Sequence, residues 1–255
     1  MSRSDPIRKE YFEAVELGDK ASDILFYIGA ALSILSLLVD QTKYPVLSTV
    51  VLIAFGLSTL LLFVIGLVSR LYLAPRAQDK RLQDFFSSAC GVNLTHQKTD
   101  GYYNNNLTDP LKRMAAQVLE NSHFSKAIAL RMARTERIKI VLYVALWIVC
   151  VLCRQTELGV IVAASQAIFS EQLVARWVRI EWLRVRFEKA FGDVYKLFQS
   201  QPPTEQFNAI ALEEVCLYET AKANAAITLS SRIFEDLNPS LSSEWDDIKA
   251  AVGIQ

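Results

Sequence analysis

A short run of two tyrosines and three asparagines occupies positions 102–106 of the chain. Tyrosine rings can stack on nucleobases, and amide groups can hydrogen-bond to base edges. Basic side chains flank the run, with Lys98 before it and Lys112 or Arg113 after it, and such groups bind phosphates. The run therefore suggests a nucleotide pocket; the alternative is a surface turn whose tyrosines rest on a helix. The candidate ligand-binding residues are Lys98, Tyr102, Tyr103, Asn104 and Arg113.

A second group of polar residues lies in the last of four apolar segments, residues 158–170. Gln166 and Ser170 are four positions apart and therefore share one face of a helix. Polar groups at membrane depth are unfavourable unless they face water or protein. One interpretation is an aqueous pore with Glu171 at its cytoplasmic mouth; the others are hydrogen bonds between helices or a membrane boundary near Phe169. The candidate pore-lining residues are Ser165, Gln166, Ser170 and Glu171.

No arrangement typical of an enzyme is visible in the sequence. It contains no glycine-rich phosphate loop, no GxSxG and no HExxH. The two histidines, His96 and His123, and the four cysteines do not have the spacing of a zinc site. Cys150 and Cys153 fall inside an apolar helix, where packing is a commoner role than redox chemistry. We therefore expect no catalytic residue, no metal and no cofactor.

The composition indicates a chain of two kinds of segment. Hydrophobic residues make up 52% of the 255 residues, yet 21% are charged. That is too apolar for a soluble surface and too charged for membrane spans alone. Basic and acidic residues balance at 27 each, so bulk charge does not favour DNA or RNA as a partner. Charges throughout the first twenty residues argue against a cleavable signal peptide.

Four apolar segments predict four transmembrane helices. About twenty apolar residues are needed to cross a hydrocarbon core of ~30 Å, and only the second segment reaches that length by itself. Short polar links at 40–45 and 154–157 join the segments in pairs, which predicts two hairpins. The third and fourth segments are short, and their alternative is a pair of buried helices in a soluble bundle. The segments are residues 24–39, 46–69, 138–153 and 158–170.

Basic residues flank both hairpins at their open ends. The two short turns hold only Lys43 and Arg154, whereas four Lys or Arg residues lie near each of the four outer ends. Because Lys and Arg favour the cytoplasmic side, both termini and the middle region are expected to be cytoplasmic.

The remaining segments predict cytoplasmic helices and no strand. We expect helices at 6–20, 77–89, 111–135, 174–200, 205–237 and 241–252. Asp109 and Pro110 are typical of a helix start, and Asn238-Pro239 predicts a turn, with Ser240 capping the last helix. The predicted class is all-α: an integral membrane protein with four transmembrane helices in two hairpins plus a cytoplasmic helical bundle. The predicted domains are an N-terminal amphipathic helix (1–22), hairpin one (23–73), the region with the tyrosine–asparagine loop (74–136), hairpin two (137–173) and the C-terminal helices (174–255).

Three short motifs together with this layout carry a family resemblance. They are DGYYN at 100–104, ENSHF at 120–124, and SRIFEDLNP at 231–239 with the Glu-Trp pair at 244–245. The chain resembles the four-transmembrane effectors associated with SMODS-type cyclic-oligonucleotide synthases in bacterial anti-phage defence.

The resemblance implies a multi-pass protein of the bacterial inner membrane that forms a homo-oligomer. Such an effector would form a pore or disrupt the membrane when a cyclic oligonucleotide binds on the cytoplasmic side. The alternative is a non-conducting membrane scaffold whose amphipathic cytoplasmic helices recruit a soluble partner.

Overall fold

A computed structural model describes residues 5–97, 99, 101–103, 105–152 and 158–254. It is 86% helical, and no strand occurs in the described residues, which confirms the all-α prediction. The α-helices are α1 (Glu13–Leu38), α2 (Pro45–Val68), α3 (Ala74–Cys90), α4 (Pro110–Leu152), α5 (Leu158–Ile168), α6 (Arg176–Ser200), α7 (Thr204–Ala225) and α8 (Ser231–Val252). Wider π-helical turns lie at Arg8–Phe12, Ser69–Leu73 and Glu171–Ala175.

The chain folds into two compact units. We call one the globular unit, residues 1–12, 76–134 and 179–255, and the other the apolar unit, residues 13–75 and 135–178. The long helix α4 contributes its first part to the globular unit and its second part to the apolar unit.

Helices α1 and α2 form a hairpin in the apolar unit. Asp40 organises the turn, because its Oδ1 accepts hydrogen bonds from the backbone N–H groups of Thr42 at 2.9 Å and Lys43 at 3.3 Å. Pro45 then starts α2, where its missing N–H has no helical partner to lose. Large apolar side chains on this hairpin remain exposed, including Val46 at 77% and Phe63 at 65%. A continuous exposed apolar surface of this kind is typical of contact with lipid or another apolar surface.

Three helical stretches among the described residues are long and apolar enough to cross a membrane. They are Arg8–Leu38, Pro45–Cys90 and Leu158–Ser200. The second part of α4 does not meet the same criterion, because residues 135–152 still include Glu136, Arg137 and Lys139. The 13 residues beyond Lys139 rise only about 20 Å, against ~30 Å of hydrocarbon.

The core of the globular unit is built around the first part of α4. Seven consecutive residues of this helix, 114–120, are buried, so it is surrounded on all sides. Ala115 and Ala116 are small enough to let neighbouring helices approach closely. Large buried side chains from α6 and α8, Phe187 and Trp245 among them, complete the core.

The start of α4 was predicted correctly. Oδ1 of Asp109 accepts hydrogen bonds from the N–H groups of Leu111 and Lys112, both at 2.9 Å. The predicted break at 201–204 is also present, since α6 ends at Ser200 and α7 begins at Thr204.

The predicted boundary between the last two helices was wrong. Helix α7 ends at Ala225, and Ala226 has a left-handed backbone with φ of 47°. Ser230 then caps α8, its Oγ accepting from Ile233 N–H at 3.4 Å. The helix continues through Pro239, and Ser240 Oγ donates to the Leu237 carbonyl instead of capping a helix. Tertiary packing explains the difference, because the α8 side chains on both sides of the proline pack against the core: Ile233, Phe234, Leu241 and Trp245.

Candidate functional site

Arg81 of α3 is the centre of a charged cluster in the globular unit. Its Nη2 donates to Oδ2 of Asp5 at 2.7 Å, and both side chains are only 13% exposed. A pair of charges so far from water requires good geometry, because removing either partner would strand the other charge.

Two aromatic rings lie against the same guanidinium group. The Cζ of Arg81 is 4.4 Å from the ring centroid of Tyr102 and 5.5 Å from that of Phe12. These are cation–π distances, and a planar guanidinium is well suited to such stacking. Burial by itself lowers the pKa of Arg81, but Tyr102 and Asp5 outweigh this effect and raise that pKa above its ordinary value. The group therefore remains a cation.

Arg81 retains one free donor. Its Nη1 atom is buried and has no hydrogen-bond partner among the described residues. A buried donor without a partner is unfavourable by about 1–3 kcal/mol. Within the described residues, the cluster therefore lacks one hydrogen-bond acceptor for Arg81.

Tyr103 packs between Tyr102 and the core. Its ring centroid is 4.9 Å from that of Tyr102 and 6.1 Å from that of Phe85 on α3, both in edge-to-face geometry. Burial raises the pKa of Tyr103 well above its ordinary value, and its hydroxyl has no hydrogen-bond partner in the described part of the chain. Tyr103 thus rests on a helix, whereas Tyr102 faces a cation.

The loop that follows α3 carries further buried polar groups. Gln97 Nε2 donates to the hydroxyl of Tyr11 at 3.1 Å and also contacts Glu10. The hydroxyl of Thr99, also in this loop, donates a hydrogen bond to the buried carboxylate of Asp84 in α3 at 2.6 Å. The other loop residues include Asn105, which is 7% exposed and whose amide N and O both lack partners among the described residues. Buried amides normally have such partners, so the loop has polar groups available to a ligand or to water.

The structure brings together part of the predicted nucleotide pocket. Tyr102 and Tyr103 lie side by side next to Arg81, while Lys98 and Asn104 lie outside the described residues. Arg113 is half-buried in the first turn of α4, and its Nε has no hydrogen-bond partner within the described ranges. Of the predicted residues that the structure describes, only Tyr102 contacts Arg81 through its ring; the other ring contact and the ion pair come from Phe12 and Asp5.

Sequence reasoning missed three residues of the cluster: Asp5, Phe12 and Arg81. Arg81 was counted only among the charges that orient the membrane segments, Asp5 only among the charges of the first twenty residues, and Phe12 as part of the amphipathic helix. Their contact joins positions 76 residues apart, and no local pattern in the sequence signals it.

The predicted pore-lining residues lie at and beyond the end of α5. Ser165 Oγ accepts from Trp147 Nε1 at 2.8 Å and donates to the Ile161 carbonyl at 2.7 Å. The Ser165 hydroxyl therefore joins α5 to α4. Gln166, in contrast, is exposed on the outer surface of the apolar unit.

Ser170 and Glu171 mark the break after α5. Ser170 has an extended backbone with ψ of 169°, which separates α5 from the π-helical turn Glu171–Ala175. Glu171 forms an ion pair with Arg70, which lies in the turn that follows α2. This pair links the turn that follows α2 to the segment that follows α5 within the apolar unit.

Among the described residues, no group of three or more His, Cys, Asp or Glu side chains is arranged to hold a metal ion. Searches against protein-family models, curated proteins and solved structures find no match to this chain.

Proposed function

We propose that this protein is a membrane effector of a bacterial anti-phage defence system. It oligomerises in the inner membrane, and forms a pore or disrupts the bilayer when a cyclic oligonucleotide binds on its cytoplasmic side. The observation that supports this most directly is the contact of Arg81 with Tyr102 at 4.4 Å. An aromatic ring and a cation side by side offer one surface for a base and one for a phosphate.

The apolar unit supports a membrane role with four spans. Besides the three stretches that are long and apolar enough to cross a membrane, the second part of α4 exposes large apolar residues from Ile138 to Leu152. They are Ile138, Val141, Leu142, Leu146, Ile148, Val149, Val151 and Leu152. Such a surface is unfavourable in water and favourable in lipid, so α1, α2, the end of α4 and α5 are proposed to span the bilayer, with both termini cytoplasmic.

The test is membrane potential in bacteria that express the protein, read with a voltage-sensitive dye while cyclic oligonucleotides are supplied. Depolarisation with one nucleotide and not with others is the expected result. Gln166→Leu should abolish it, because that exposed amide is the polar group of α5 with no assigned packing role. Val162→Leu is the matched control, since Val162 is exposed on the same helix and already apolar.

A non-conducting scaffold is the second candidate function. The hydrogen bond of Ser165 to Trp147 favours it, because it uses a polar group of α5 for packing instead of for water. A protein that is present in the membrane and causes no depolarisation with any nucleotide would support the scaffold and refute the effector.

A further inference from the structure

We infer that the N-terminal segment, residues 5–12, is an internal occupant of the anion-binding cluster at Arg81, and that a phosphate-bearing ligand must displace it. The inference rests on the proposed function for the identity of the ligand, a cyclic oligonucleotide. The occupied state is the one described above, with Asp5 on the guanidinium edge and Phe12 on its face.

Asp5 stands where a phosphate would bind. A carboxylate and a phosphodiester each present a negative charge and two oxygen acceptors to a guanidinium group. The 2.7 Å contact from Arg81 uses one amino group, and the other, Nη1, is buried without a partner in the described residues. A ligand with a second acceptor oxygen would satisfy both amino groups, which the single contact of Asp5 does not.

Phe12 stands beside the position of a stacked base. Its ring and that of Tyr102 both lie on the guanidinium of Arg81, at 5.5 and 4.4 Å from Cζ. A planar base can replace a phenyl ring on a cation or next to a tyrosine, because each base has a polarisable face. The segment thus supplies one anion and one ring, the two chemical groups of a nucleotide.

Other contacts hold the segment in place and make it a defined element. Ile7 is fully buried, and the Tyr11 hydroxyl accepts a hydrogen bond from Gln97 of the loop that follows α3. Arg8 forms an ion pair with Glu235 of α8 at 3.0 Å. The turn Arg8–Phe12 is π-helical, a rare geometry that occurs frequently at functional sites.

The segment is continuous with the first apolar helix. Residues Arg8–Leu38 form a single helical stretch, of which the first residues belong to the globular unit and the rest to the apolar unit. Displacement of Asp5 and Phe12 therefore alters the start of the helix that enters the apolar unit. Binding and membrane action would be connected through the peptide chain itself.

Asp5→Asn tests this with little change of structure. Oδ1 of Asp5 accepts from Arg8 N–H at 3.0 Å, and Asn supplies the same cap but no charge. Glu13→Gln is the matched control, because Glu13 is an exposed acidic residue at the start of α1. Purified full-length protein is titrated with cyclic di- and trinucleotides and, as a simple anion, inorganic pyrophosphate.

We expect Asp5→Asn to bind these ligands at least about threefold more tightly than the wild type does. The substitution removes the competing charge, so a larger fraction of the protein has the Arg81 cluster open to ligand. Glu13→Gln should bind as the wild type does, and Arg81→Met should not bind. In the wild type, saturating ligand should speed amide hydrogen exchange at residues 7–12, a measurement that needs no variant.

The outcomes separate the inference from the function on which it rests. The inference is overturned if Asp5→Asn and Glu13→Gln bind the nucleotides and pyrophosphate with equal affinity, or if amide exchange at residues 7–12 slows on binding. Failure of both nucleotides and pyrophosphate to bind also overturns it. If pyrophosphate binds with the expected pattern but no cyclic nucleotide binds more tightly, the internal occupant stands and the proposed function falls.

Discussion

The hydrogen bond from Trp147 to Ser165 allows the two interpretations of α5 to be separated by measurement. Ser165→Ala removes the acceptor that lies 2.8 Å from Trp147 Nε1, and leaves that N–H without its partner. The second hydrogen bond of Ser165, to the Ile161 carbonyl, is lost without stranding a donor. The perturbation is therefore concentrated in one interhelical contact.

The destabilisation expected of Ser165→Ala depends on how deeply this hydrogen bond is buried. Interhelical hydrogen bonds in membrane proteins contribute about 0.6 kcal/mol on average and at most about 1.7 kcal/mol. Trp147 is only half-buried, so its unpaired N–H is not fully desolvated in the variant. We expect Ser165→Ala to destabilise the protein by about 1 kcal/mol, which lowers Tm by roughly 2–4 °C in a chain of this size.

A double-mutant cycle in detergent measures the contact itself. Ser165→Ala, Trp147→Phe and the double variant are compared with the wild type by thermal unfolding, with Val162→Leu as the matched control. A coupling energy of about 0.6–1.5 kcal/mol confirms the contact as an energetic link between α4 and α5. Coupling indistinguishable from zero would refute the reasoning.

The same variants separate packing from conduction. If Ser165 serves packing, Ser165→Ala retains nucleotide-induced depolarisation and loses only stability. Gln166→Leu is expected to show the reverse, because the Gln166 side chain is exposed. Loss of depolarisation in Ser165→Ala at unchanged stability would place the hydroxyl in the conducting path instead.

Three further predictions concern the globular unit. Burial lowers the pKa of His123 from its ordinary 6.5, so the folded state favours the neutral imidazole. The stability of the fold therefore falls as pH drops below about 6.5. In thermal melts between pH 8 and 5, the Tm of His123→Gln should depend less on pH than the Tm of the wild type. Burial raises the pKa of Glu214 from 4.5, so its contribution to the stability of the fold is present below about pH 4.5 and lost as pH rises. Glu214→Gln should therefore have a higher Tm than the wild type at pH 8 and no such advantage at pH 4. Equal Tm values at pH 8 would contradict this. Phe187→Ala should destabilise the core by about 3–5 kcal/mol in denaturant unfolding, because the ring is 1% exposed, and a loss below about 1 kcal/mol would contradict the packing described.

The start of α4 and the apolar lengths were predictable because their causes are local. Asp109 caps α4 by accepting hydrogen bonds from the N–H groups two and three residues further on, and Pro110 is a favourable first helical residue. The apolar lengths of three stretches follow directly from composition. The proline at 239 misled the prediction because its local preference for a turn is weaker than the packing of α8 side chains on either side of it.

The cluster at Arg81 was only half predictable. Tyr102 and Tyr103 attract attention in the sequence because two aromatics in a polar loop are unusual. Asp5 carries no such signal, and its pairing with Arg81 exists only because the fold brings two distant segments together. The sequence therefore indicated the two tyrosines of the cluster, but neither the cation at its centre nor the carboxylate of Asp5.

The internal competitor also limits which ligands can act. A ligand shifts a conformational balance only by the difference in its affinity for the two states. A single phosphate offers Arg81 the same charge as Asp5 and gains only one further contact, an acceptor oxygen for Nη1. A larger advantage must come from groups that the segment lacks, such as a second phosphate or a base that stacks on Tyr102. A ligand with several bases and phosphates meets this requirement, and a mononucleotide or free phosphate meets it poorly.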